Sequence, residues 1–412
     1  MAKTSLDKKQ IRVVLFEGIH PSAVKRLEAD GYTNVELFPK ALPEAQLCKA
    51  IRHAYIVGIR SNTHLTAKVL AEAQRLMGIG CFCIGTNQVD LNFARDRGIP
   101  VFNAPFSNTR SVAELVIAEL ILLMRGIPQR NAEVHRGVWT KSAVGSREVR
   151  GKTLGIVGYG HIGTQVALLA EALGMRVIYY DIESKLALGN ARPVESLAAL
   201  LKASDVVTLH VPETAQTKGM IQAEHLAQMK KGAFLINAAR GSLINISALE
   251  KALESKHLAG AAIDVFPSEP KSADDEFVSP LRAFDNVILT PHIGGSTEEA
   301  QENIGVEVAE KLIRYSNNGS TLTSVNFPEV SLPEHTGRHR VLHIHRNQPG
   351  ILSQINAILS ERKINICGQY LQTDAEIGYV VIDMETRSAD QTKQLKQALE
   401  AIEGTIRARI LY

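Results

Sequence analysis

Residues 155–181 read GIVGYGHIGTQVALLAEALGMRVIYYD, a stretch that leaves few folds open to the chain. Gly158, Gly160 and Gly163 follow the apolar run 153–157 directly and open a helix-periodic segment that begins HIG. In that setting the first glycine permits a tight turn and the second lets the backbone approach a pyrophosphate. The third lets the helix pack closely on the strand. The helix N-terminus adds amide groups and the positive end of a dipole, which makes His161 and Ile162 candidates to face the same anion. Asp181 ends the next apolar run, where a carboxylate accepts both ribose hydroxyls of NAD and repels the extra phosphate of NADP. The stretch predicts an NAD site on a parallel sheet, against the plainer alternative of a structural turn beside a surface aspartate.

Further apolar runs at 206–212, 233–240, 261–266 and 286–292 alternate with helical patterns and extend this sheet. Together they predict an α/β fold with a Rossmann-like, doubly wound parallel sheet over residues 108–296. Ahead of it, IRVVLFE, AYIVGIR, RLMGIG and PVFN mark a smaller flavodoxin-like α/β layer over 1–107. The segment SNTRSVAELVIAELILLMRG is too long and apolar for a surface crossover, and it reads as the link between these domains. An amphipathic helix over 297–315 leads back, so the first domain is expected to be discontinuous and to resume over 297–336. From 337 to 412 the pattern is strand, helix, strand, strand, helix, strand. That order predicts a ferredoxin-like βαββαβ module behind a hinge near Gly337.

Charge and cysteine content narrow the function classes. Lys plus Arg number 46 against 43 Asp plus Glu, too even a balance for the basic field that nucleic-acid binding needs. The start MAKTSLDKKQ has no apolar signal region, and LVIAELILLM carries Glu119 and falls short of the ~20 residues of a membrane span. Four scattered cysteines suit reduced thiols, and Cys81 and Cys83 read as neighbours on a buried strand, so no metal site is expected. These features predict a cytoplasmic protein acting on a small molecule, without nucleic acid or membrane as partner.

Ligands of doubly wound sheets collect beyond the carboxyl ends of the strands. Three strand-end segments, NAARGSLIN, AIDVFPSEP and LTPHIGGST, bring an arginine, acids and a histidine there. With GIVGYGHIGTQVA they resemble the D-isomer-specific 2-hydroxyacid dehydrogenases over residues 11 to about 330. The terminal module resembles an ACT domain. The resemblance implies that Arg240 grips the substrate carboxylate, that His292 exchanges a proton with the 2-oxygen, and that Glu269 steadies His292. It also implies NAD contacts by Ala238, Ala239, Arg240, Asp264, His292, Ile293, Gly294 and Gly295. Elementary chemistry agrees, because hydride loss at C2 requires removal of the hydroxyl proton, histidine titrates in the useful range, and guanidinium suits bidentate capture of a carboxylate. A structural ion pair is the rival reading for Arg240 and Glu269, and His210, inside a strand, reads as a core residue.

Within the family, the whole chain is similar to members that oxidise 3-phosphoglycerate, the first step of serine synthesis, as tetramers inhibited by serine. That similarity implies substrate contacts by Arg60, Asn62, Asn108 and Lys141, the last from a neighbouring subunit, with Trp139 as an inter-subunit contact, against core packing as the plainer reading of Trp139. Relatives commonly carry a second arginine where this chain has Asn62, and Lys40 or a rearranged loop is the candidate to compensate. The serine positions would be His345, Asn347 and Asn365, at an interface between two modules. His343 and His345 share a strand face, which alternatively makes them a polar edge. Two other readings stay open: reduction of a different 2-oxo acid such as 2-oxoglutarate, and an NADH-sensing protein without catalysis.

Overall fold

The computed structural model describes residues 6–270, 275–333, 339–385 and 389–411, so the expected hinge Gly337 lies outside the described residues. The chain divides into two compact units, Met1–Ser107 with Gln301–Tyr412, and Asn108–Ala300. In the first, β1 (Val13–Leu15), β2 (Val35–Leu37), β3 (Ile56–Ile59), β4 (Gly78–Cys81) and β5 (Val101–Asn103) form a sheet ordered β2-β1-β3-β4-β5. All its pairings are parallel. Val35–Leu37 is not among the runs read as strands from the sequence. At the sheet edge its residues are only partly covered, so no continuous apolar run marks it. The order reverses between β1 and β3, and the loops after these strands carry Glu17 and Arg60.

In the second unit, β6 (Thr153–Val157), β7 (Arg176–Tyr180), β8 (Arg192–Pro193), β9 (Val206–Leu209), β10 (Ala233–Asn237), β11 (Leu258–Ile263) and β12 (Val287–Leu289) form a parallel sheet. Its order is β12-β11-β10-β9-β6-β7-β8, the doubly wound arrangement expected, with the short edge strand β8 added. Alternation sends side chains to two cores. Leu154, Ile156, Phe234 and Ile236 pack with Val112, Val116 and Leu120 of the helix Thr109–Met124. Val157 and Leu235 pack on the other face with Leu200, Leu226 and Leu249. Burial on both faces explains why these strands read as unbroken apolar runs. The order reverses between β6 and β9, which puts Gly158 and His210 side by side at the switch point.

The first unit also holds the expected βαββαβ module. Its antiparallel sheet has the order β14-β15-β13-β16, formed by β13 (His339–Arg346), β14 (Asn365–Thr373), β15 (Ile377–Glu385) and β16 (Thr405–Leu411). Helices Ile351–Glu361 and Ala389–Glu400 cover one face through Ile355, Leu359, Leu395 and Leu399. The other face packs on Phe327, Val330 and Leu332. Because β13 is an inner strand, His343 and His345 are buried and do not form a polar edge. Among the described residues no helix is long and apolar enough to cross a membrane.

One buried ion pair ties this module to the segment before it. The Arg340 guanidinium is fully buried and donates to both Asp383 oxygens at 2.6 and 2.7 Å. Its Nη1 donates to the carbonyls of Asn318 and Pro333 at 3.0 and 2.9 Å. Breaking a buried pair by removing one partner strands the other charge. Asp383→Ala is expected to cost about 3–5 kcal/mol, read as an earlier transition in urea denaturation followed by circular dichroism. An unmoved transition would contradict this role.

Candidate active site

At the switch point the glycine geometry is set by sterics. Gly158 has φ +93°, and a Cβ there would lie 2.6 Å from the His210 carbonyl oxygen. A Cβ on Gly163 would lie 2.2 Å from the Gly158 carbonyl oxygen, so only glycine lets the helix His161–Ala172 start this close to β6. At Gly160 a Cβ would meet nothing within 4 Å, so the missing side chain clears open space at the helix N-terminus, where no side chain caps the first turn. His161 is exposed and Ile162 half-buried at that end. Across the turn, Asp181 accepts from the Tyr159 and Glu183 amides at 2.8 and 3.0 Å, which fixes its carboxylate at the end of β7. An anion cradle beside a fixed carboxylate fits the pyrophosphate and ribose of NAD.

Beyond β10, β11 and β12 the loops converge. Glu269 receives the His292 ring through Nδ1, at 2.9 Å to Oε2 and 3.1 Å to Oε1, and its Oε1 also accepts the Phe266 amide at 3.1 Å. The bond to Glu269 raises the pKa of His292, partly offset by burial. Glu269 stays below the usual carboxylate range, because its bonds to His292 and to the Phe266 amide outweigh burial. The charge of Arg240 is felt at both groups, lowering each. Arg240 is set by a tight turn: its Nη1 donates to the Ala239 carbonyl at 2.6 Å, and a Cβ on Gly241 would lie 2.0 Å from the Phe266 carbonyl carbon. Ala238 and Ala239 are half-buried on this turn. Asp275 and Phe277 join Glu269 and His292 around a cavity of ≈ 410 Å³.

His292 itself is in the left-handed region, φ 56°, where a non-glycine residue is strained. Asp264 holds it there. The Asp264 carbonyl accepts the His292 amide at 2.8 Å, Oδ1 accepts the Ile293 amide at 2.8 Å and the Thr290 hydroxyl at 2.6 Å, and Oδ2 accepts the Gly294 amide at 2.9 Å. Asp264, expected as an NAD contact, is 1% exposed, and both its oxygens are engaged by the loop 290–294. Ile293 is exposed, Gly294 is buried on Asp264, and Gly295 packs against Asn108. Asn108 is itself buried, with its Oδ1 unpartnered, beneath the loop rather than at the surface.

Two carboxylates not read as site residues from the sequence are set apart by their surroundings. Glu119, on the helix Thr109–Met124, is buried with neither oxygen partnered, and burial together with the Asp264 charge pushes its pKa up to about 8. A lone carboxylate inside an apolar helix carried no sequence signal beyond its rarity. In the first unit, Glu17 adopts φ 65° after β1 and accepts the amides of Arg60, Asn62 and Thr63 at 3.1, 2.9 and 2.8 Å. It shapes the loop that carries Arg60 and exposed Asn62.

Lys40, Trp139 and Lys141 are exposed, Trp139 by 83%. His210 is not fully satisfied: Nε2 meets the Thr208 hydroxyl at 2.9 Å, Nδ1 has no partner, and burial drops its pKa to about 3. In the terminal module, His345 is buried against Gly378, and Asn347 Nδ2 donates to the Asp374 carbonyl at 2.7 Å. His345 pairs with Gly378, which pairs with Thr373, whereas Asn365 pairs with Glu385 at the other end of β15. One module does not bring Asn365 to His345 and Asn347.

Comparison with known proteins agrees with this geometry. Residues 117–294 match the D-isomer-specific 2-hydroxyacid dehydrogenase NAD-binding domain, and 341–407 match an AHAS small subunit-like ACT domain. The chain is 63% identical over 410 residues to a D-3-phosphoglycerate dehydrogenase of Haemophilus influenzae, covering 100% of this chain and 99% of that one. The chain belongs to the D-isomer-specific 2-hydroxyacid dehydrogenase family. A D-3-phosphoglycerate dehydrogenase of Escherichia coli strain K12 is 62% identical over 412 residues, with both chains fully covered. The solved D-lactate dehydrogenase of Aquifex aeolicus, complexed with NAD and lactic acid, superposes with TM-score 0.66 at 28% identity, over 77% of this chain and 100% of that one. This family member is an NAD-dependent dehydrogenase. Asp181→Ala should raise the ratio of NADP to NAD efficiency by about tenfold, worth about 1.4 kcal/mol, in steady-state rates with each cofactor. An unchanged ratio would remove Asp181 from the ribose contact.

Proposed function

We propose that the enzyme oxidises 3-phospho-D-glycerate to 3-phosphohydroxypyruvate with NAD, the first step of serine synthesis, as a serine-inhibited homotetramer. The observation that carries this reading is similarity along the entire length, terminal module included, to chains named D-3-phosphoglycerate dehydrogenase. Bound NAD supplies the acceptor for the C2 hydride. The protein's own groups do the rest. Arg240 holds the substrate carboxylate, which fixes C2 and its oxygen relative to the imidazole. His292, with Nδ1–H directed at Glu269, presents Nε2 to the substrate hydroxyl and takes its proton. The imidazolium so formed is stabilised by the Glu269 carboxylate. In the reverse direction the same imidazolium donates, and the guanidinium steadies the polarised carbonyl.

For the substrate phosphate we assign Arg60 and Lys141, with Asn62 contributing hydrogen bonds in place of charge. Removing the general base should lower turnover by roughly 10²–10⁴-fold. His292→Ala is therefore expected to retain NADH binding in fluorescence titration while losing turnover with phosphohydroxypyruvate to this extent. Wild-type turnover in the variant would exclude the proton role. In a panel of 2-oxo acids, phosphohydroxypyruvate should give the highest kcat/KM. Preference for 2-oxoglutarate, a reading that Asn62 favours, would replace the phosphorylated substrate.

The serine site needs a second copy of the terminal module. β14 is an exposed edge strand, and an antiparallel β14 from another chain would carry its Asn365 toward the Thr373 end, where His345 and Asn347 lie. Asn347→Ala should leave uninhibited turnover intact and weaken serine inhibition on the order of tenfold. A wild-type serine response would move the effector site elsewhere.

A further inference from the structure

Within the first unit, a cavity of ≈ 1100 Å³ opens between β16 with the helix Ala389–Glu400 and the first sheet with its N-terminal approach. Ligand pockets typically run about 300–1,000 Å³, so this one has room for a nucleotide-sized molecule. Its lining is unusually basic: Lys8, Arg75, Lys393, Lys396, Arg407 and Arg409 against the carboxylates Asp390 and Glu400. Lys8 is neutralised by Asp30 at 2.7 Å, and Lys396 meets Glu400 at 3.4 Å. Arg407 is spent on backbone, with Nη1 donating to the Leu76 and Gly98 carbonyls at 2.7 and 3.4 Å.

Arg75, Lys393 and Arg409 have no carboxylate partner among the described residues. Arg409 is the telling one. Its guanidinium lies 5.2 Å from the centre of the Tyr315 ring, and its Nη1 is buried without an acceptor, as is the Tyr315 hydroxyl. A buried guanidinium nitrogen without an acceptor is costly, and an anion would relieve it. Burial lowers the pKa of Arg407, Tyr315 opposes this, and the positive charges of Arg409 and Arg97 nearby add to the lowering. Tyr55, Met77 and Ile410 give the cavity an apolar wall.

We infer that this cavity binds a phosphate-bearing small molecule with an apolar or aromatic body, the chemistry of a nucleotide, with Arg409, Arg75 and Lys393 holding the phosphates. The ligand would bridge the terminal module and the first sheet. The site is separate from the dinucleotide cradle at Gly158–Gly163 and carries no residue of the dehydrogenase reaction, so its test is independent of turnover.

The test is calorimetric titration of ATP into the full-length protein with the dinucleotide site filled by saturating NADH. ATP should bind to a single class of site with salt-sensitive affinity. Arg409→Met should weaken that binding roughly tenfold or more. Lys393→Glu should do the same, and as an exposed helix position it keeps the test intact if the buried substitution disturbs folding. NADH binding should be unchanged in both. Absence of ATP binding to wild type, or unaltered affinity in Lys393→Glu and Arg409→Met, would overturn the site. Inorganic phosphate should bind more weakly than ATP, and equal affinity would refute the nucleotide chemistry.

Discussion

The geometry of the candidate site depends on the Asp264 carboxylate, which takes the hydrogen bonds of the loop 290–294 and holds His292 in a backbone conformation it would not adopt alone. Asp264 directly follows β11, an inner strand of the sheet whose residues are almost all buried. A strained residue persists where its surroundings over-determine it, and such residues cluster at active sites. Here the strain turns the imidazole toward Glu269 on the neighbouring loop. That contact places hydrogen on Nδ1 and leaves Nε2 for the substrate in the reaction we propose. Glu119, on the helix Thr109–Met124, is kept from ionising by burial and by the Asp264 charge.

How much of this could be read from residues alone follows from the physics of each part. Gly158 and Gly163 were legible because their requirement is steric and local, and Gly160 and Asp181 because they fall in the same strand, turn and helix segment. Arg240, Glu269 and His292 were legible only as strand-end residues bearing the right chemistry, and their convergence needed the order β12-β11-β10. For Asp264 the resemblance implies a cofactor contact, and the structure adds its hold on the loop 290–294. Its hydrogen bonds to backbone amides across the loop leave no trace in the spacing of residues. Glu17 and the edge strands β2 and β8 escaped for related reasons. A left-handed glutamate looks like any other glutamate, and short strands at an edge lack the apolar run that marks a buried one.

In the terminal module the alternation of His343 and His345 gave their shared face correctly, yet burial depends on the strand's place in the sheet. β13 lies between β15 and β16, which turns an expected polar edge into a buried histidine pair with Nδ1 atoms 3.3 Å apart. Burial lowers the pKa of both, that of His343 to about 4, so they stay neutral near pH 7. Register likewise decides that Asn365 sits at the opposite end of the sheet from Asn347, so an effector touching both requires two copies. The basic cavity beneath β16 joins the same module to the first sheet, so each side of it faces a place where binding could act.

The central claim, that Glu269 tunes His292 as the proton acceptor, is tested most directly by the pH dependence of kcat/KM for oxidation in wild type and Glu269→Gln. Oxidation requires neutral imidazole, so the rate rises with pH through the His292 pKa, which the carboxylate raises. Glutamine removes that charge, and the acidic limb is predicted to move to lower pH while the maximal rate falls. A limb that stays at the wild-type pH in the variant would contradict the account.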